Sequence, residues 1–197
     1  MVSKVLSLEF SNELSNYLNT QAAWVREALS HSVSIPSVSG SEKEMVAFFH
    51  ELLTTMKGEV YKEPVSEILK NDPDYITVDS KQPYSERPNL VHLKRGKNQG
   101  RSLIMCGHAD VVPGAGKEAF VPRLEGEYLY GRGACDDKGP LVAWLLALKG
   151  LDYFGLEPAG NLETHIVIEE EVGGNGALSL ILGGRITAES LRNVGQL

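Results

Sequence analysis

The sequence predicts an α/β fold, a mixed, mostly parallel sheet with helices on both faces, and three observations predict it. Short apolar runs bounded by turn residues, NLVHLK, SLIMCGH and THIVI, read as strands. Segments whose apolar side chains recur at three- and four-residue steps read as helices. The two patterns alternate along 197 residues, a length that suits one globular domain with a sizeable core.

Taken in order, Leu8 to Ser32 reads as one helix, with Leu14, Leu18, Ala22, Val25 and Leu29 on its inner face. Pro36 and Gly40 break it. Ser41, with Glu44 three residues on, then has the capping-box pattern that opens a second helix running to about Met56. From Gly58 to Pro88 the chain is rich in Pro, Asp, Tyr and Lys and reads as loop, with one short strand at Tyr75 to Val78. NLVHLK and SLIMCGH follow as two neighbouring strands, the second apolar enough to be central in the sheet. EYLYGR is another strand. GPLVAWLLALKGL is a strongly apolar helix that starts near Asp137 and ends around Gly150. THIVIEEE is a further strand, and a glycine-rich turn leads from it into a last helix, ALSLILGG.

Composition narrows the function classes. Hydrophobic residues at 42% and charged residues at 23% are those of a globular chain rather than a disordered or fibrous one. A formal net charge of -7 repels polyanions, which argues against nucleic acid and anionic lipid as partners. No run of about 18 apolar residues and no signal-peptide core is present, so neither membrane anchoring nor export is indicated. Cys106 and Cys135 are too few for a disulfide framework and lack C-x-x-C spacing, which favours a reducing, cytoplasmic setting. Both read as buried packing residues rather than reactive thiolates, because acids rather than cations lie near them.

Three clusters carry chemistry, each at the end of a predicted strand or in the turn after one, where open α/β sheets place ligands. In GHADVVP, His108 and Asp110 are two residues apart and face one side of an extended chain; His108 can bind a metal through one ring nitrogen while a nearby carboxylate holds the other. In GRGACDDKGP, Asp136 and Asp137 stand at a helix entrance; one suffices for an N-cap, which leaves the other free to ligate. In IEEEVGGNG, three carboxylates end an apolar strand before a Gly-Gly turn, and adjacent acids can divide labour between metal and general base. One His with several carboxylates suits a divalent ion such as zinc. Two ions sharing a bridging carboxylate would supply a hydroxide nucleophile and a Lewis acid for a scissile carbonyl.

In this order GHADVVP, FVPRLEGEYLYGRGACDDKGP and IEEEVGGNG resemble the signature blocks of the co-catalytic zinc peptidase family that includes aminoacylase, acetylornithine deacetylase, succinyl-diaminopimelate desuccinylase and carnosine-type dipeptidases. IPSVSGSEKEM resembles that family's N-terminal helix boundary, and the likeness runs from about Ile35 to Gly183. The resemblance implies His108 as a ligand of one zinc, Asp110 as its orienting partner, Asp136 as the bridging carboxylate and Asp137 as helix cap. It also implies Glu170 as general base and Glu171 as a ligand of the other zinc; Glu169 receives no role. The implied reaction is attack of metal-activated water on the amide of an N-acyl amino acid or small peptide, with cobalt or manganese as other admissible ions.

The family completes its site with a further acid and a distant His. Beyond Glu171 the sequence has no His, and its one acid, Glu189, lacks the expected context and is not assigned. The resemblance therefore implies a C-terminally truncated catalytic domain over residues 1–197, without the lid and dimerisation domain through which the complete enzyme forms a homodimer. Weak zinc binding, little turnover and exposed apolar surface are expected of such a chain. The competing reading within this fold is a non-catalytic remnant. A nucleotide-binding module fails on detail, since Asp136 stands where G-x-G-x-x-G needs glycine, and Val111 and Glu118 stand where a P-loop around Gly116-Lys117 needs Gly and Ser or Thr. A serine hydrolase lacks its G-x-S-x-G; Ser37, not Gly, precedes Ser39 by two.

Overall fold

The computed structural model describes residues 7–97 and 100–186, so Glu189 lies outside the described residues. Two helices, α1 (Leu8–Thr20) and α2 (Ala22–Ser34), replace the single one expected, and they meet at Gln21. Leu18, expected on the inner face, is 38% exposed; the buried side chains of α1 are Phe10 and Tyr17, whose rings lie against Phe154 and Tyr153, while Ala28 of α2 joins the main core. At the junction the Thr20 hydroxyl donates to the Tyr17 carbonyl, a local bond that competes with the helical ladder.

Helix α3 (Lys43–Thr54) begins without the predicted capping box. Its N-cap is Glu42, which makes no capping bond; the carboxylate turns inward, accepts the Gly40 N–H at 2.8 Å and pairs with Arg87. Between Gly58 and Pro88 the chain forms strand β1 (Glu59–Glu63) and two 3₁₀ turns, Glu67–Asn71 and Tyr84–Glu86. EVYKE carries no strand signal because its two apolar residues, Val60 and Tyr61, are adjacent rather than alternating and none of the five is fully buried. The strand expected at Tyr75 to Val78 is absent. The Asn175 side chain takes the place of a strand partner there, accepting the Ile76 N–H and donating to the Ile76 carbonyl.

Strands β2 (Asn89–Lys94), β3 (Leu103–His108) and β6 (Leu162–Val167) join β1 in a four-stranded sheet of order β1-β2-β6-β3. NLVHLK and SLIMCGH are thus not neighbours, because β6 inserts between them. SLIMCGH lies at the edge of the described sheet, with Leu103 and Met105 exposed, whereas all six residues of β2 are buried. The sheet is mixed, but β3 with β6 is its one parallel pairing among the described residues; β1–β2 and β2–β6 are antiparallel. The parallel pair follows from the helix α4 (Lys138–Tyr153) that returns the chain before β6, since parallel neighbours need a long crossover. EYLYGR contributes only β5 (Tyr128–Tyr130), hairpinned with β4 (Arg123–Glu125) in a separate ribbon.

Alternate residues of each strand face opposite sides, which builds two apolar clusters. Leu90, Ile166 and Ile168 pack with Met45, Phe49 and Leu53 of α3 and Leu141, Leu145 and Leu148 of α4. Val91 and Val167 pack on the other face with Leu180 of α5 (Asn175–Leu182) and with Ile186. Helices cover both faces, as predicted. Phe49 and Leu145 have no exposed surface, so truncating either to Ala should cost about 2–5 kcal/mol. Cys106 and Cys135 are exposed free thiols and not the buried packing residues expected; the edge position of β3 accounts for Cys106, and the turn before α4 for Cys135.

Candidate metal centre

Parallel pairing sets His108 opposite Val167, so the chain leaves β3 and β6 at the same end of the sheet, the carboxyl end of both strands. His108 ends β3, and Glu169, Glu170 and Glu171 follow β6. Helix α4 packs on β3 and brings the turn holding Asp136 and Asp137 to the same place. Three segments distant in sequence therefore deliver their side chains to one locus.

The imidazole of His108 is held from one side and offered on the other. Its Nδ1 lies 3.0 Å from the carbonyl oxygen of Asp110 and 3.5 Å from Asp110 Oδ1. Its Nε2 lies 3.0 Å from Asp136 Oδ1 and 3.7 Å from Glu170 Oε2. One ligand atom from each of His108, Asp136 and Glu171 falls within 4.8 Å of the other two. The three residues expected as metal ligands are brought together.

Asp110 does more than orient the imidazole. It is fully buried, and its carboxylate accepts the Ser39 hydroxyl at 2.6 Å and the backbone N–H groups of Glu170 and Glu171 at 3.0 and 3.1 Å. Burial alone would raise its pKa, but His108, the Ser39 hydroxyl and the Glu170 N–H outweigh burial and hold it below the usual carboxylate range. Asp137 occupies the N-cap position of α4 without capping it. Its Oδ2 instead accepts the His108 N–H at 3.1 Å, which corrects the cap expected of that side chain. The peptide bond between Asp136 and Asp137 is cis.

The charge balance favours a cation here. Burial alone would lower the His108 pKa, yet Asp110 and Asp137 push it up to about 9, so the acids hold a positive charge on or beside the ring. Burial, and then the neighbouring Asp136, Asp110 and Glu170, raise the Glu171 carboxyl, against an opposing pull from His108. A divalent ion would relieve that crowding, taking the neutral imidazole at Nε2 and a carboxylate from either side. The donor set, one nitrogen and two oxygens, fits a zinc-type ion with an open coordination position. His108 is deep, at 9% side-chain exposure, while Asp136 at 76% and Glu170 at 50% leave the site open to solvent.

Sequence reasoning missed the residues beneath the site. Tyr84 and Arg87 lie outside every block singled out above, Ser39 and Glu42 lie inside IPSVSGSEKEM but received no role, and Glu169 received none either. Arg87 is 1% exposed and forms ion pairs with Glu42 at 2.9 Å and Glu169 at 2.6 Å, both fully buried. Nothing in an acidic triplet says which member turns inward; that is decided by where a buried cation waits.

Comparison with known proteins gives a consistent result. Residues 104–194 match the Peptidase family M20/M25/M40. A probable carboxypeptidase of Aspergillus terreus is 30% identical over 149 residues, covering 73% of this chain and 30% of that protein. A succinyl-diaminopimelate desuccinylase of Sphingopyxis alaskensis is 41% identical over 73 residues, 36% of this chain and 19% of that protein. Among solved structures, the dipeptidase Dug1p of Saccharomyces cerevisiae has the same fold with TM-score 0.66 at 19% identity, over 81% of this chain and 35% of that one. Human carnosine dipeptidase 1 gives 0.64 at 22% identity over the same shares. The chain spans about a third of the length of the relatives it matches over most of its own.

Proposed function

From a chain that is related to the M20/M25/M40 peptidases through residues 104–194, we propose that residues 1–197 form the metal-binding part of a catalytic domain that hydrolyses the amide bond of N-acyl amino acids or small peptides. The observation that carries this is the convergence of ligand atoms from His108, Asp136 and Glu171 within 4.8 Å, from three strand and turn ends. Zinc is the ion we propose, because it accepts imidazole and carboxylate together; when bound it supplies a Lewis acid and an acidified water.

The chain's own groups then divide the work. Asp110 fixes His108 through Nδ1 and leaves Nε2 for the ion. Asp110 also ties down the backbone of Glu170 and Glu171, which keeps both carboxylates at the ring. Glu170, half-exposed and beside His108 Nε2, is placed to take a proton from the attacking water. As the carbonyl C–N bond breaks, the same carboxyl returns that proton to the departing amine, so acid and amine are the products. Asp136, on the solvent side of the ring, would be a carboxylate ligand, and the bridging one if a second ion were bound. Two free cysteines support a reducing compartment as the setting.

Metal content and amide hydrolysis measured on the 197-residue chain test this. Zinc bound by the parent chain and lost in His108→Ala, with release of free amino acid from an N-acyl amino acid panel above the variant's level, is the expected result. Zinc bound equally by both chains would refute the assignment. Zinc bound specifically without turnover would favour the non-catalytic reading.

A further inference from the structure

Arg87 sits under the metal centre without touching it. Its guanidinium makes four contacts in a fixed fork: Nε donates to the Gln82 carbonyl at 2.9 Å, Nη2 to the Ser80 hydroxyl at 2.8 Å, and Nη1 reaches Glu42 Oε2 at 2.9 Å and Glu169 Oε1 at 2.6 Å. Glu169 is held from the other side as well, its Oε2 accepting the Tyr84 hydroxyl and the Asn175 amide, each at 2.8 Å. Its backbone is held too, since the Glu169 N–H donates to Glu42 Oε1 at 3.2 Å.

The backbone shows what this grip enforces. Glu169 has φ +54°, the one positive φ outside glycine among the described residues. A residue with a Cβ adopts that region only when its surroundings require it. With Glu169 turned inward, the chain reverses so that the next two N–H groups point at Asp110 and the next two side chains point at His108. An acid at 169 thus spends its charge on Arg87, while the acids at 170 and 171 face the opening.

On the reading that Glu170 and Glu171 serve a bound metal, we propose that Arg87, acting through Glu169, is a positioning residue: the buried Glu42–Arg87–Glu169 bridge sets the turn that presents Glu170 and Glu171 to the metal centre. Lysine cannot substitute, because a point charge on a flexible stem cannot span two carboxylates, a hydroxyl and a carbonyl at once.

Two measurements on the 197-residue chain test it, one of them needing no metal. Hydrogen exchange of the backbone amides of Glu170 and Glu171 is read in the metal-free parent, Arg87→Lys, Glu169→Gln and a control, Leu53→Ala, which weakens the core at the far end of α3. Zinc affinity is read by competition with a chromogenic chelator. Both bridge variants should exchange these two amides about tenfold or more faster and bind zinc about 10–100-fold more weakly. Leu53→Ala, compared at equal distance from its own unfolding midpoint, should leave both within about threefold, a general loss of stability being without local effect. Exchange at Glu170 and Glu171 unchanged in Arg87→Lys and Glu169→Gln, or accelerated equally in Leu53→Ala, would overturn the positioning role. A parent chain that fails to bind zinc would count against the metal assignment, and the exchange comparison would still decide the role of the bridge.

Discussion

Asp110 accepts the backbone N–H of Glu171 on Oδ2 at 3.1 Å, although the two residues are 61 positions apart in the chain. The same carboxylate receives the Glu170 N–H on Oδ1, so both oxygens are spent on one turn. Asp110→Asn keeps one acceptor and sets an NH₂ group against a donor. A buried mismatch of this kind should cost about 1–3 kcal/mol of stability, read as a lower urea midpoint, and should weaken zinc binding about 10–100-fold. An Asn variant with parental stability and affinity would remove Asp110 from the site.

Zinc should stabilise the folded chain, because the folded state alone brings the donors together. At a free concentration about 100-fold above Kd the gain is about 2.7 kcal/mol, visible as a raised thermal midpoint that a chelator reverses. Glu171→Gln should lose most of the shift, and His108→Ala all of it. A midpoint that rises equally in the parent and in His108→Ala would locate the ion elsewhere.

Burial raises the Glu42 carboxyl from its ordinary value of 4.5 to about 7, against the opposing pull of Arg87. The folded chain therefore binds a proton here more tightly than the unfolded chain. The resulting stability is fully present below about pH 4.5 and is lost as pH rises through about 7. Glu42→Gln cannot titrate at this position. Subtracting its urea midpoints from the parent's should reveal a component that declines between pH 5 and pH 8. A flat difference would show that Glu42 is ionised throughout.

Strand β3 presents Leu103 at 40% and Met105 at 39% exposure on an edge of the described sheet. Unpaired edges with apolar side chains promote association, and lysine is the residue that natural edges use against it. Met105→Lys should raise the concentration at which light scattering begins, with the circular dichroism spectrum unchanged. Unaltered scattering would show that association proceeds through another surface.

Helix α4 and strand β6 were legible because a long, strongly apolar segment and a short, bounded apolar run are local properties of the chain. His108 with Asp110, the Asp136-Asp137 pair and the Glu169–Glu171 run were legible as ligand-type residues at strand ends, but the choice of Asp136 over Asp137 and of Glu170 and Glu171 over Glu169 rested on the resemblance of the three blocks to a known family. Their joint position was not legible, and neither was β1, whose EVYKE becomes a strand only because β2 lies beside it.

The amino-acid sequence by itself determined the α/β class, most of its elements and the three acidic or histidine clusters that end the strands, because periodicity and side-chain chemistry are written residue by residue. The tertiary structure alone decided that β6 separates β2 from β3, that Asp137 serves the His108 backbone and that Glu169 turns to Arg87. A strand's neighbour, and the partner of a buried charge, are chosen by contacts between segments many residues apart, and local pattern holds no record of them.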